Sequence, residues 1–125
     1  MIKVIMEHQA KEEVIKMERL KGGDSVRADG ARLFSLFEEG RAASIRHPGH
    51  ISAETLVDAQ DPCHIIVISS WQSLDEWEHF KSSEARVNIH KQMELYLVEP
   101  PKFRTYRYLS YERARRQYEH GEYET

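Results

Sequence analysis

Histidine is the side chain best suited to move a proton or ligate a metal near neutral pH. This chain carries seven in 125 residues, beside a single cysteine. Their spacing limits what they can do. His64 directly follows Cys63, and one cysteine with one adjacent histidine is no metal site. His47 and His50 flank Pro48-Gly49 and read as loop residues, with metal binding as the alternative. His79 and His8 read as partly exposed, although His8 occupies an inward-facing strand position and could line a pocket. His90 is the strongest candidate. It stands at the edge of an Ile89, Met93 and Leu97 helical stripe, where a neutral imidazole could serve as a base or bind iron. The plainer alternative is a boundary histidine that only hydrogen-bonds. His90 and His8 are thus the candidate catalytic residues.

Aromatic residues surround these candidates in the sequence. Trp71, Trp77 and Phe80 suit core packing, and equally the walls of a pocket for a small aromatic molecule. Tyr106, with Tyr108 and Tyr111, could give phenol donors to such a pocket or apolar area to a dimer face. Arg104 and Arg107 fall on opposite faces of a strand and make no ready phosphate clamp. No Gly-rich phosphate loop, Ser-His-Asp signature or paired-carboxylate motif stands out.

The elements that would position these residues can be read in order. Residues 2–8 alternate as a first strand. Residues 9–21 are ambiguous between helix and an extension of that strand, with helix favoured. Gly22-Gly23 breaks what precedes it. Asp24 or Ser25 caps a helix over about 27–46, whose apolar face holds Leu33, Leu36, Phe37, Gly40, Ala43 and Ser44. Gly40 has two readings, close approach of the helix to a sheet or a tolerated glycine. Residues 50–58 and 63–71 form a hairpin around Gln60-Asp61-Pro62. Ser73 to Glu76 matches a capping box, and Ser82-Ser83 restarts the helix that follows. Its stripe runs through Ile89, Met93, Tyr96 and Leu97 until Pro100-Pro101 stops it. Residues 102–109 give a last strand. The order is βαββαβ, an α+β ferredoxin-like arrangement with both helices on one sheet face. Ile65 and Val67 point to one face of the third strand, Ile66 and Ile68 to the other. Both faces must then be covered, and a second copy of the chain is the economical cover.

Composition bounds the function. A formal net charge of -3, from 18 basic and 21 acidic residues, gives no field for nucleic acid. One cysteine suits a reducing compartment. The N-terminus is charged within its first residues and has no signal-like apolar run, and no stretch approaches the roughly 20 apolar residues of a membrane span. A cytoplasmic protein without membrane or nucleic-acid partners is expected. It reads as one domain over 1–110 and a charged, tyrosine-rich tail over 111–125, either a short helix on a partner or frayed.

Particular residues sharpen the pattern. The run Pro48-Gly49-His50-Ile51-Ser52-Ala53-Glu54-Thr55-Leu56 leads through a turn to Ile66-Val67-Ile68-Ser69-Ser70-Trp71-Gln72-Ser73. With Trp77, Ser83-Glu84 and Arg86, it resembles the antibiotic biosynthesis monooxygenase domain family over roughly residues 26–108. The resemblance implies a ferredoxin-like subunit paired face to face as a dimeric α+β barrel. It implies either cofactor-independent oxygenation of aromatic or quinol-type substrates, or haem binding and breakdown. Aligned on Trp71, the haem-ligating histidine of that family falls on His90. Its haem-distorting tryptophan falls on Phe80 and its first-strand asparagine near Glu7 or His8, both departures. The leading expectation is a homodimeric oxygenase-like protein without a cofactor. It would bind a small aromatic molecule between sheet and helices, with Trp71, Trp77, Phe80 and Tyr106 as substrate-binding residues. The alternatives are a haem-binding module with His90 as axial ligand, and a non-enzymatic dimeric sensor or interaction domain.

Overall fold

The computed structural model describes residues 1–15, 24–112 and 115, with the side chains of 24–29 outside the description. The chain runs β1 (Ile2–Gln9), α1 (Glu12–Ile15), α2 (Asp24–Arg46), β2 (His50–Val57), β3 (His64–Trp71), α3 (Leu74–Lys81), α4 (Glu84–Met93) and β4 (Lys102–Arg107). The four strands pair in the order β2-β3-β1-β4, each pair antiparallel. This is the ferredoxin-like arrangement that the order of elements predicts.

Strand alternation decides what faces the helices. Ile2, Val4, Met6 and His8 of β1 are buried, and their partners on β3 are Trp71, Ser69, Val67 and Ile65. Helix α2 lays Leu33, Leu36 and Phe37 toward the core, the period expected of an amphipathic helix. It packs against β2, α1 and α4, while α3 packs against β3. Two apolar clusters result. One is built around Leu33, Leu36, Ile65, Ile89, Met93 and Leu97. The other is built around Val4, Met6, Trp71, Trp77 and Phe80. Ala43 and Val67 touch both.

The helical region after Trp71 is two helices. Ser82 caps the end of α3, and the Ser83 hydroxyl accepts from Arg86 N at the start of α4. The Ser73 hydroxyl accepts from Glu76 N at 3.2 Å, the first half of the expected capping box. The Glu76 carboxylate lies instead over Gly49, whose φ of 86° suits glycine at that turn.

Several boundaries differ from the sequence reading. The stripe through Leu97 is not helical beyond Met93. Val98 N donates to Gln9 O at 2.8 Å and Lys11 N to Tyr96 O at 2.9 Å, so this stretch is drawn into backbone pairing with the end of β1. Leu97 is buried by that pairing. Helix α2 begins at Asp24, and β4 ends at Arg107. Within the ambiguous 9–21, Glu12–Ile15 are helical and Ala10 bridges to Leu97; 16–21, and Gly22-Gly23, lie outside the described residues. So does the tail beyond Tyr111, Glu112 and Arg115. Gly40 approaches α4 and not the sheet, its missing Cβ falling 4.0 Å from Ile89 Cγ2. Gly30 is the tighter position, with the Val14 carbonyl oxygen 2.9 Å from where a Cβ would stand.

The helices cover one face of the sheet. The reverse face carries the cross-strand pairs Ile5 with Ile68 and Ile66 with Leu56, and Arg104 and Tyr106 beside Ile5 and Lys3. Ile5, Ile66 and Ile68 are half-buried and Leu56 and Tyr106 exposed, so the apolar face foreseen from β3 is left uncovered by the described part of this chain.

Candidate active site

A cavity opens where the two apolar clusters meet, between the sheet and helices α2, α3 and α4. It leaves about 50 Å³ open to the centre of a water-sized molecule. Met6, Phe37, Val67, Trp77, Phe80 and Met93 give it apolar walls, and His8, His90, Arg41 and Arg86 are its titratable groups. Predominantly apolar lining with a few convergent polar groups is the usual form of a small-molecule site.

His8 enters from β1, whose alternation turns it toward the helices. It is 1 % exposed, not partly exposed as its sequence position suggests, because Phe37 packs edge-on against its ring at 4.8 Å. Nδ1 lies 3.2 Å from the Ile65 carbonyl oxygen. That oxygen can only accept, so Nδ1 carries the proton and Nε2 keeps a lone pair. Nε2 is buried and has no hydrogen-bond partner among the described residues. Burial is the main cause that pushes the His8 pKa down to about 4, the Ile65 bond raising it and the charge of His64 lowering it.

His90 has the opposite polarity. The Arg86 guanidinium, one helical turn earlier on α4, places Nη1 2.7 Å from His90 Nδ1. A guanidinium has no acceptor, so His90 Nδ1 accepts, and the neutral ring must carry its proton on Nε2. Burial first, then the charges of Arg86 and His8, hold the His90 pKa down near 3. Both rings are therefore neutral at pH 7. Their centroids are 6.0 Å apart at 82°. One offers an acceptor and the other a donor.

Arg86 is held from three sides. Its Nε donates to the Lys81 carbonyl, its Nη1 to His90, and its Cζ stands 5.3 Å over the Phe103 ring. His90 stacks on the same ring at 5.9 Å. Neither Arg86 nor Arg41 was singled out by the chemistry of the sequence. The i,i+4 spacing of Arg86 and His90 was the signal for the first; Arg41 comes to the cavity only through tertiary packing of α2.

The sequence candidates separate. His8, His90, Trp77 and Phe80 line one cavity. Trp71 stands behind it, fully buried, stacked on Phe80 at 5.2 Å and donating its indole N–H to Ser69 Oγ at 3.0 Å. Tyr106 is on the reverse face of the sheet, opposite Lys3 in the register and 46 % exposed, so the sheet separates it from His8. His47 and His50 are not merely loop residues, since both rings pack edge-on against Trp71, at 6.0 and 5.3 Å. His64 bonds Asp58, and His79 is exposed.

The donor set can be tested against haem. A ligating histidine must present a lone pair to iron. His90 Nδ1 is occupied by Arg86 and Nε2 carries the proton, so His90 offers none in this arrangement. The residues present do not fit haem. Among the described residues, no group of three or more His, Cys, Asp or Glu side chains could hold a metal ion. No described helix is long and apolar enough to cross a membrane.

Known structures share the fold. One solved antibiotic biosynthesis monooxygenase superposes with a TM-score of 0.70 at 16% identity, covering 88% of this chain and 100% of that one. Rv0793 from Mycobacterium tuberculosis matches at TM-score 0.67 and 14% identity over 87% of this chain and 95% of its own. SnoaB from Streptomyces nogalater, a cofactor-independent oxygenase, matches at 0.66 and 10%, covering 87% and 93%. Identities this low speak for the fold alone. No curated protein matches the chain. The model of the antibiotic biosynthesis monooxygenase family matches residues 27–92, which hold most of α2, all of β2, β3 and α3, and most of α4. The chain belongs to the antibiotic biosynthesis monooxygenase family.

Proposed function

We propose that the cavity is the substrate site of a cofactor-independent monooxygenase acting on a small phenolic or quinol-type aromatic molecule. The observation that carries this reading is the histidine pair of opposite polarity at an apolar cavity. A phenol O–H donates to His8 Nε2 and accepts from His90 Nε2–H, which fixes its oxygen while Trp77 and Phe80 flank the ring. With its pKa near 4, His8 is an acceptor in the resting state and not a strong base. Proton transfer to it becomes favourable as an anion forms beside it, and the Arg86 charge stabilises that anion.

The substrate anion gives one electron to dioxygen, the two radicals combine at a ring carbon that bears hydrogen, and the peroxide anion so formed takes back the proton held at His8 Nε2 to become a hydroperoxide. Loss of water then leaves a carbonyl at that carbon. One oxygen atom enters the product and the other leaves as water, so substrate and dioxygen balance without a further reductant. The chain's own residues hold the phenol, move its proton at His8 Nε2 and keep water from the reacting face.

The assembly proposed with it is a homodimer in which the reverse face of the sheet meets its copy. The Ile5, Leu56, Ile66 and Ile68 side chains on that face support it, as does the family's dimeric habit. Oxygen uptake with a panel of hydroquinones and anthrones tests the function. Uptake by the protein that is lost in His8→Gln and kept in Tyr106→Phe is expected. No uptake with any member would favour a non-enzymatic sensor or interaction domain.

A further inference from the structure

The charged groups lining the cavity are two arginines, Arg41 and Arg86, and no Asp or Glu lines it. The chain does pair its arginines elsewhere: on α2, Arg32 meets Glu39 at 3.2 Å. Arg86 has no such partner among the described residues. Its neighbours are a carbonyl, a neutral imidazole and an aromatic face, none of which cancels its charge. Lys81 adds a further positive charge over the same Phe103 ring, its Nζ 5.3 Å from the centroid. A partly buried cation without a counterion is costly, and an anion supplied from outside removes that cost. Arginine is also the side chain that best matches a carboxylate, through paired N–H donors. His8, which lines the same cavity, keeps a buried and unpartnered Nε2.

We propose that the cavity selects aromatic ligands bearing an oxyanion, a carboxylate placed next to the phenol, with Arg86 and Arg41 supplying the positive charge. This rests on the cavity being the substrate site. The phenol oxygen lies between His8 and His90, and the carboxylate reaches Arg86 beside His90. The site thus separates two tasks. The histidines read the hydroxyl, and the arginines read the negative charge.

The test compares 2-hydroxybenzoate with its neutral isostere 2-hydroxybenzamide by calorimetric titration of the purified protein at pH 7.5 and low salt. Binding of the acid at least tenfold tighter than the amide is expected. In Arg86→Gln the ratio of acid to amide affinity should fall toward one, and Arg86→Lys should keep part of the preference. Thermal unfolding of each variant confirms that it is folded, and Arg41→Gln gives a second, independent loss. Equal affinity for acid and amide in the unaltered protein would overturn the anion preference alone, and neutral quinols could still be turned over. A preference untouched in both glutamine variants would overturn the role of these arginines. Failure of both probes to bind would remove the anion preference and the site reading together.

Discussion

Acidification should destabilise this protein through His8. Its pKa falls from 6.5 in the unfolded chain to about 4 in the fold, chiefly by burial. Between those values the unfolded chain binds a proton that the folded chain does not, so stability falls as pH falls through that window. At pH 7.5 both states are neutral and the effect is close to zero. At pH 5 the unfolded histidine is almost fully charged and the folded one mostly neutral, a difference of about 2 kcal/mol. His90, lowered to about 3, acts in the same direction. The two rings approach each other at 6.0 Å, so their contributions do not add independently. The charge of Arg86 on α4 favours the neutral His90 ring and that of His64, on the reverse face of β3, favours the neutral His8 ring, while Arg41 on α2 lines the same cavity. Urea unfolding at pH 7.5, 6 and 5 would measure the loss in the unaltered protein and in His8→Gln, which cannot titrate. The variant should lose about 2 kcal/mol less between pH 7.5 and 5. An identical loss in both would refute the buried, neutral assignment of His8.

Gly49→Ala should destabilise by about 1–3 kcal/mol in denaturant unfolding, because its φ of 86° and the Glu76 carboxylate over it both oppose a Cβ. Glu76→Ala in the same chain should recover only the steric part. Gly30→Ala should also destabilise, by about 1–3 kcal/mol, since the rigid Val14 carbonyl lies 2.9 Å from the new Cβ. Gly40→Ala, with its nearest neighbour at 4.0 Å, should be neutral or stabilising by up to about 1 kcal/mol. Titration with haemin should give no saturable Soret shift that depends on His90; a one-to-one shift abolished by His90→Ala would show that Arg86 yields its place on Nδ1. Sedimentation at micromolar concentration should give a dimer that Ile68→Lys dissociates, and a folded monomer in the unaltered chain would contradict the proposed cover of the reverse face.

The fold was legible because local signals and tertiary structure agree. The alternation in β1, the Trp71 to Ser73 handover and the serine restart at 82–83 each reappear as an element boundary. The end of the last helix was not legible, because Leu97 keeps helical spacing while its backbone pairs with β1, a long-range event with no local mark. The site was legible in part. His90 and His8 announce themselves by residue type and position, but their tautomers depend on Ile65 O and Arg86, contacts that only the fold creates. Tyr106 looked equally suited to a pocket or a surface, and register with Lys3 places it on the reverse face. Arg41 carried no local signal, being one of many charges on a helix.

His8 and His90 are proposed to hold a phenol at this cavity for direct reaction with dioxygen. Turnover of a quinol substrate under ¹⁸O-labelled dioxygen, followed by mass spectrometry of the product, tests it most directly. One labelled atom per product molecule is expected, lost together with turnover in His8→Gln. Product whose new oxygen comes from solvent, or labelling undiminished in His8→Gln, would contradict it.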